Sequence, residues 1–350
     1  MTIRFSHGAG VAIVATLFAG CSGAGSVPQQ SMAAASASRP ATLNAHMYPL
    51  GQYGANVDID SLHAASRTGS HSYKVKAGSK LVYICNLGGG AVDVFDQTGK
   101  TQQPIATITD GILGPGGLTT DSKGDLYVSD EGPISGKWTE QMYAPGATSP
   151  TKSYTTDLYS PTDAAVATDG TMYIANFNGS KNGWVAVYPK GNVKKEYRLS
   201  DYNGGAPLSV ALDKQQNLYV MYDYNSDANS AVNEYKPGAK TGTNLNLAFG
   251  SGGGIQVDTN GDIVVAQQLN PSVLLVFPQG KTQPSQSIPM PGGGEPFNFA
   301  FNRKSKVLFA AEYYEDNQVD RFAWPSAKFQ YVLANGFNNP SGVAVAHSEF

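Results

Sequence analysis

The sequence predicts an all-β protein, a six-bladed β-propeller whose ring is closed by the C-terminal strand completing the N-terminal blade. Three observations predict it. An apolar triplet with an aromatic or branched centre recurs as Val82-Tyr83-Ile84, Leu126-Tyr127-Val128, Met172-Tyr173-Ile174, Leu218-Tyr219-Val220, Ile263-Val264-Val265 and Leu308-Phe309-Ala310, its centres stepping by 44, 46, 46, 45 and 45 residues. A fixed period of this length is the signature of propeller blades of four strands each. The 350 residues include 40 Gly, 20 Pro and 19 Tyr, which suits many short strands joined by tight turns. Finally, the first copy begins at its second strand near Lys80, while the chain ends on an unpartnered first strand, Pro340-Ser341-Gly342-Val343-Ala344-Val345-Ala346. Pairing the two ends completes six blades and leaves no open sheet edge.

At the N-terminus, Arg4 precedes an apolar run from Val11 to Ala19, followed by Gly20 and Cys21. The run is too short for a permanent membrane span, so residues 1–20 read as a secretory signal. Leu17-Phe18-Ala19-Gly20-Cys21 resembles a bacterial lipobox, with Phe18 where Leu is usual. That resemblance implies an exported protein lipidated on Cys21 and, with Ser22 rather than Asp following, sorted to the outer membrane of a Gram-negative envelope. The other reading is a plain signal with an incidental cysteine. Residues 21–75 read as the lipidated cysteine and a tether. As far as about Thr42 they are mostly Ala, Ser, Gly, Pro and Gln, too poor in apolar groups to offset the entropy of ordering. Met47-Tyr48-Pro49-Leu50 and Val57-Asp58-Ile59 leave residues 43–75 open between packed and loose. The propeller domain takes residues 76–350.

The balance of 24 basic and 27 acidic side chains gives a net charge of −3, and only 15% of residues are charged. No strong field draws nucleic acid or an anionic membrane; membrane contact is expected through the lipid anchor only, and the protein as a monomer. Cys85 is the one other cysteine. With Cys21 acylated no structural disulfide forms, and the Val82–Cys85 context reads as a small buried apolar residue rather than a reactive thiol.

The first strands recur as Gly117–Asp121, Asp163–Ala167, Ser209–Asp213, Gly254–Asp258 and Asn298–Asn302. Third strands end near Phe95, Tyr143, Tyr188, Tyr235, Phe277 and Phe322, commonly with Pro or a Gly turn close behind. More polar fourth strands follow, as at Lys152–Thr156, Lys195–Leu199 and Pro284–Ile288. Turns between first and second strands, such as Ser122-Lys123-Gly124 and Thr259-Asn260-Gly261, are short and uniform. The loops on the opposite face vary, and variable loops on a rigid scaffold are where binding usually resides.

On that variable face the ends of the second strands present a ring: Asn86, Asp130 with Glu131, Asn176, Asp223, Gln267 and Glu312. Around it stand Trp138, Phe177, Asn178, Trp184, Tyr224, Asn225, Asn270, Tyr313 and Tyr314. Polar groups beside aromatic surface describe a site for a small molecule, glycan or peptide. The competing reading is that these polar residues only end strands and cap loops. Asp121 and Asp125 flank a plain-face hairpin and read as structural. Asp258-Thr259-Asn260-Gly261-Asp262 has the opening of a calcium loop without its later glutamate, so it reads as a hairpin turn. The runs Gly88–Gly90, Gly252–Gly254 and Gly292–Gly294 are followed by no helix and read as loops crowded near the ring axis rather than phosphate cradles.

The repeat, from about Lys80 to Ala346, resembles NHL and YVTN-type propellers, and more loosely the gluconolactonase-like and streptogramin-lyase-like enzymes. The lactonase-like resemblance implies metal ligands just before the first-strand core, where this chain has Gly116, Thr162, Leu208, Gly253, Phe297 and Ser341, none of them a carboxylate. The lyase-like one implies histidines, and beyond His71 the domain has only His347. There is no HExxH, Walker loop or GxSxG, so no catalytic residue is assigned. The expected function is a ligand- or protein-binding module at the cell envelope, for an unidentified small molecule, glycan, peptide or envelope protein, with no cofactor and no nucleic acid. One alternative is a metal-dependent hydrolase or lyase using Asp130, Glu131, Asp223 and Glu312, for which a divalent metal would be needed. Another is a scaffold subunit of an envelope complex.

Overall fold

A computed structural model describes residues 80–98, 103–134, 137–177, 183–194, 196–199, 205–223, 230–268, 271–313, 317–335 and 337–346. The signal, Cys21, the tether, His71, Asn178, Tyr224, Asn225, Asn270, Tyr314 and His347 lie outside the described residues.

Among the described residues, twenty-four strands form six antiparallel four-stranded sheets, the blades. Blade 1 joins β24 (Pro340–Val345) to β1 (Leu81–Asn86), β2 (Ala91–Asp96) and β3 (Ala106–Ile108). Blade 2 is β4 (Pro115–Thr120), β5 (Leu126–Ile134), β6 (Lys137–Tyr143) and β7 (Lys152–Tyr154). Blade 3 is β8 (Pro161–Val166), β9 (Met172–Asn176), β10 (Trp184–Tyr188) and β11 (Tyr197–Leu199). Blade 4 is β12 (Ala206–Leu212), β13 (Leu218–Asp223), β14 (Ser230–Tyr235) and β15 (Thr243–Asn244). Blade 5 is β16 (Gly252–Val257), β17 (Ile263–Gln267), β18 (Val273–Phe277) and β19 (Gln286–Pro289). Blade 6 is β20 (Glu295–Phe301), β21 (Val307–Tyr313), β22 (Gln318–Ala323) and β23 (Lys328–Asn335). The expected closure is observed: β24 pairs antiparallel with β1, Val82 opposite Val345 and Ile84 opposite Val343.

The first strands form the inner wall, each packed against the first strands of both neighbouring blades. Five of them begin two or three residues earlier than their apolar pattern suggests and β24 begins where expected; Pro is the first residue of β4, β8 and β24 and the second of β12 and β20, the exception being β16. A strand's first residue can be Pro because no ladder bond is lost there. All six inner strands then carry one extra residue against the second strand, a β-bulge near Gly116, Thr162, Leu208, Gly253, Phe297 and Ser341. A bulge bends its strand and re-aims the side chains beside it, here at the end of the channel nearest the variable face.

The core lies between blades. Each second and third strand presents alternate apolar residues to the blade before and the blade after, as where Ile84, Val319, Phe309 and Val343 join blades 6 and 1. Cys85 is fully buried beside Val92 and Leu118, as expected from its context. The inner strands approach so closely that three blades need glycine. A Cβ on Gly117 would lie 2.3 Å from the Thr162 carbonyl oxygen and 2.7 Å from Asp163 Cα. Both are backbone atoms that cannot step aside, so Gly117→Ala is expected to cost about 1–3 kcal/mol, read as a lowered urea midpoint at unchanged slope. Gly252–Gly254 also belong to an inner strand rather than to a loop.

Every turn between a first and second strand within blades 2 to 6 is five residues long, whereas connections between second and third strands run from two residues after β5 to seven after β9. Four of the five uniform turns, all but the one that begins at Ala167, share one device. Asp121 Oδ1 accepts the N–H groups of Lys123 and Asp125, Asp213 those of Gln215 and Asn217, Asp258 those of Asn260 and Asp262, and Asn302 those of Lys306 and Val307. Asp258 is thus a turn acceptor, as its position predicted.

Candidate functional site

The polar residues that end the second strands do one job in five blades. Asp130 accepts from the backbone N–H groups of Leu113 and Gly114 at 2.8 and 2.7 Å, and from Gly132 at 3.0 Å. Asn176 Oδ1 accepts from Tyr159 N, Gln267 Oε1 from Gly250 N, Glu312 Oε2 from Gly294 N and Asn86 Oδ1 from Asn338 N. Apart from Gly132, which follows Asp130 in β5, each partner lies in the loop that leads into the first strand of the same blade. Asp130, Asn176, Asp223, Gln267 and Glu312 are buried and Asn86 is half-buried. The loop-capping reading therefore describes the hydrogen bonding of this ring: its side chains clip the loops that a ligand would meet.

The residue after the clip adds a backbone bond to the same loop, Leu87 N to Asn339 O, Glu131 N to Gly114 O, Phe177 N to Ser160 O and Gln268 N to Ser251 O. Side chains at this next position turn toward the bulges. A Cβ on Gly116 would lie 2.1 Å from Glu131 Oε1, and one on Gly253 would lie 3.3 Å from Gln268 Nε2. Tyr313 stacks at 5.3 Å on Phe297, the bulge residue of blade 6. Leu87, Glu131, Phe177, Asp223, Gln268 and Tyr313 thus form a buried row around the variable-face end of the axis, one residue beyond most of the predicted ring. Gln268 was missed by sequence reasoning. The signal was present, because a polar pair ends the second strand in both Asp130-Glu131 and Gln267-Gln268.

Beneath this row the axis is filled. One residue per inner strand, in the order Gly342, Gly117, Asp163, Ser209, Gly254 and Asn298, occupies equivalent positions. Asp163 Oδ2 accepts from Ser209 Oγ and Val210 N, and Oδ1 accepts from Ala164 N. Asn298, on the opposite blade, also hydrogen-bonds Asp163. Burial pushes Asp163 and Asp130 up to about 7 against these hydrogen bonds. Blade 2 departs from the others one row out. Where Val92, Val185, Val232, Leu274 and Val319 stand in the third strands, it places Glu140, opposite Ser129. Ser129 Oγ donates to Glu140 Oε2 at 2.7 Å, and burial pushes this carboxyl well above the usual carboxylate range.

The four carboxylates of the metal-dependent alternative are not gathered. Asp130 and Glu131 are in blade 2, Asp223 in blade 4 and Glu312 in blade 6. Among the described residues no group of three or more His, Cys, Asp or Glu is placed to hold a metal ion.

An aromatic shelf lies on the variable face of blades 2 and 3. Trp138 stacks on Tyr159 at 4.2 Å, and Trp184 carries the Arg198 guanidinium 3.8 Å over its ring. The loop before β8 joins the two pairs. Asp157 forms an ion pair with Arg198 and accepts from Trp184 Nε1 at 3.2 Å, while Tyr159 N is held by Asn176. On the plain face, the axis opens into a cavity of about 240 Å³ whose lining includes Thr119, Thr120, Lys214, Gln256, Asn302 and Arg303.

Among solved structures, hydrazine synthase of Kuenenia stuttgartiensis matches with a TM-score of 0.55 and 15% identity, covering 78% of this chain and 88% of that one. A protein of unknown function from Bacteroides caccae matches with a TM-score of 0.57 and 13% identity, covering 77% of this chain and 99% of that one. At such identities the likeness shows the propeller fold and nothing about activity. No protein-family model and no curated protein matches the sequence.

Proposed function

We propose that the protein is an exported, lipid-anchored propeller that serves as a binding module at the cell envelope, taking a peptide or protein segment across the aromatic shelf of blades 2 and 3. The observation that carries this reading is Tyr159. It is a large side chain left 37% exposed, yet it is held in place by the buried Asn176 below and the Trp138 ring beside it. Trp, Tyr and Arg dominate binding energy at interfaces, and pre-organised aromatic rings lose little entropy on contact. The shelf is open rather than enclosed, which suits an extended partner.

Peptides selected from a displayed library on the full chain should be measured by calorimetry against Tyr159→Ala and Trp138→Ala. Each variant is expected to weaken binding about tenfold or more with unchanged thermal melting. Selection of no peptide, or peptides indifferent to both substitutions, would sink the reading.

A further inference from the structure

The two faces of the ring differ in charge, although the chain as a whole is almost balanced. Uniform turns on the plain face carry the exposed Lys123, Lys214, Arg303, Lys304 and Lys306. Its outer turns, between third and fourth strands, add the exposed Lys190, Lys194, Lys236, Lys240 and Lys281. The acids of the same turns offset them only in part. Asp121, Asp213 and Asp258 are buried in turn hydrogen bonds, Asp125 and Asp262 are half-buried, Asp169 is exposed and Lys236 is paired with Glu234, which leaves more cations than acids on this face among the described residues. The described loops of the variable face hold no Lys or Arg and include Asp110 and Asp157.

β1 begins at the plain face, so the chain before Lys80, 79 residues including the predicted leader, joins the domain on this basic side. We propose that the plain face docks on an anionic phospholipid surface, leaving the variable face turned away from the bilayer. Cations near such a surface add attraction that decays within a Debye length, and here they are spread over turns of blades 2 to 6 around a polar axial depression. The 240 Å³ cavity, lined by Lys214 and Arg303 together with the turn carboxylate Asp258, gives a headgroup phosphate room at the centre of that field. The contact does not depend on the shelf of blades 2 and 3.

The test uses the full chain with Cys21→Ser, so that no acyl chain contributes, and compares it with the same chain also carrying Lys214→Gln, Arg303→Gln, Lys304→Gln and Lys306→Gln. Sedimentation with vesicles of phosphatidylglycerol mixed with phosphatidylcholine is expected to show at least about tenfold weaker partitioning of the neutralised chain. Raising the salt should remove the difference. On vesicles of phosphatidylcholine alone the two proteins should behave alike. Equal binding of both proteins to the anionic vesicles would overturn the proposal, as would capture of the parent chain by a soluble polyanion such as DNA without any preference for anionic over neutral vesicles. Circular dichroism of both proteins, with coincident melting, establishes that the comparison is between folded chains.

Discussion

A chain ending at Asn339 is expected to lose cooperative folding of the entire ring, with no sharp thermal transition and no near-ultraviolet signal from its buried aromatics. The missing strand β24 is buried along its whole length and is tied to more than its own blade. It pairs with β1, Ser341 Oγ donates to Pro115 O in blade 2 at 2.8 Å, and Thr120 Oγ1 in blade 2 donates to Val345 O at 2.8 Å. Burial of Val343 and Val345 alone is worth roughly 1.5–3 kcal/mol each, against a total stability of about 5–15 kcal/mol for an ordinary domain. Deletion also exposes the edge of β1 and the inner faces of β4 and β20, which invites aggregation. A graded version is Gly342→Val, whose side chain would press on Cys85 Sγ at 2.9 Å and Gly116 O at 2.9 Å. It should lower the melting temperature while leaving a single transition. A truncated chain that melts like the intact one would mean that the ring does not depend on its terminal strand.

Asp163→Ala is expected to be the most damaging single substitution at the axis. It leaves Ser209 Oγ, Val210 N and Ala164 N without their acceptor, and each buried unsatisfied donor costs about 1–3 kcal/mol. The loss should reach about 3 kcal/mol at pH 5 and shrink as the pH rises, for a reason set by its titration. Burial raises Asp163 and Asp130 from 3.8 to about 7 in the folded state. The folded protein therefore binds protons more tightly than the unfolded chain between those values. Stability from these two groups is fully present below pH 4, falls as pH rises from about 4 to 7, and is level above that. Urea titrations across this range should show the decline in the parent protein and a shallower one in Asp163→Asn, which keeps one acceptor and no longer ionises. Equal slopes for the two proteins would mean that Asp163 titrates normally.

The legible parts of the fold were those with a chemical repeat. The triplet period located every second strand, and the polar run after each marked the end facing the variable loops. The terminal first strand was legible because its pattern had no local mate. The extra inner-strand residue was not, since a bulge is defined by two strands together and Thr162 or Leu208 looks like any strand residue when read alone. A proline at the first or second position of five inner strands was the available sign of where those strands begin.

At the candidate site the split is similar. Sequence placed Asp130, Asn176, Gln267 and Glu312 at equivalent ends of strands, but only the fold showed that the loop N–H groups lie within reach of them and take their acceptors. Trp138 and Tyr313 were named as members of a rim; the partners that hold them, Tyr159 in the loop before β8 and Phe297 at the bulge of β20, were set beside them only by the fold. Glu140 gave no local signal, because an alternating strand accepts an acid on either face and only the assembled blade interface shows that this acid is buried.

The sequence by itself determined the strand period, the number of blades, the place of the uniform turns and the closure, because each follows from a local pattern of apolar and turn residues repeated along the chain. Tertiary structure decided the axial hub at Asp163, the aromatic shelf and the division of charge between the two faces. Net charge is a sum over residues, whereas a field depends on where they stand. A ring that turns alternate loops to opposite sides can separate charges that are mixed along the chain.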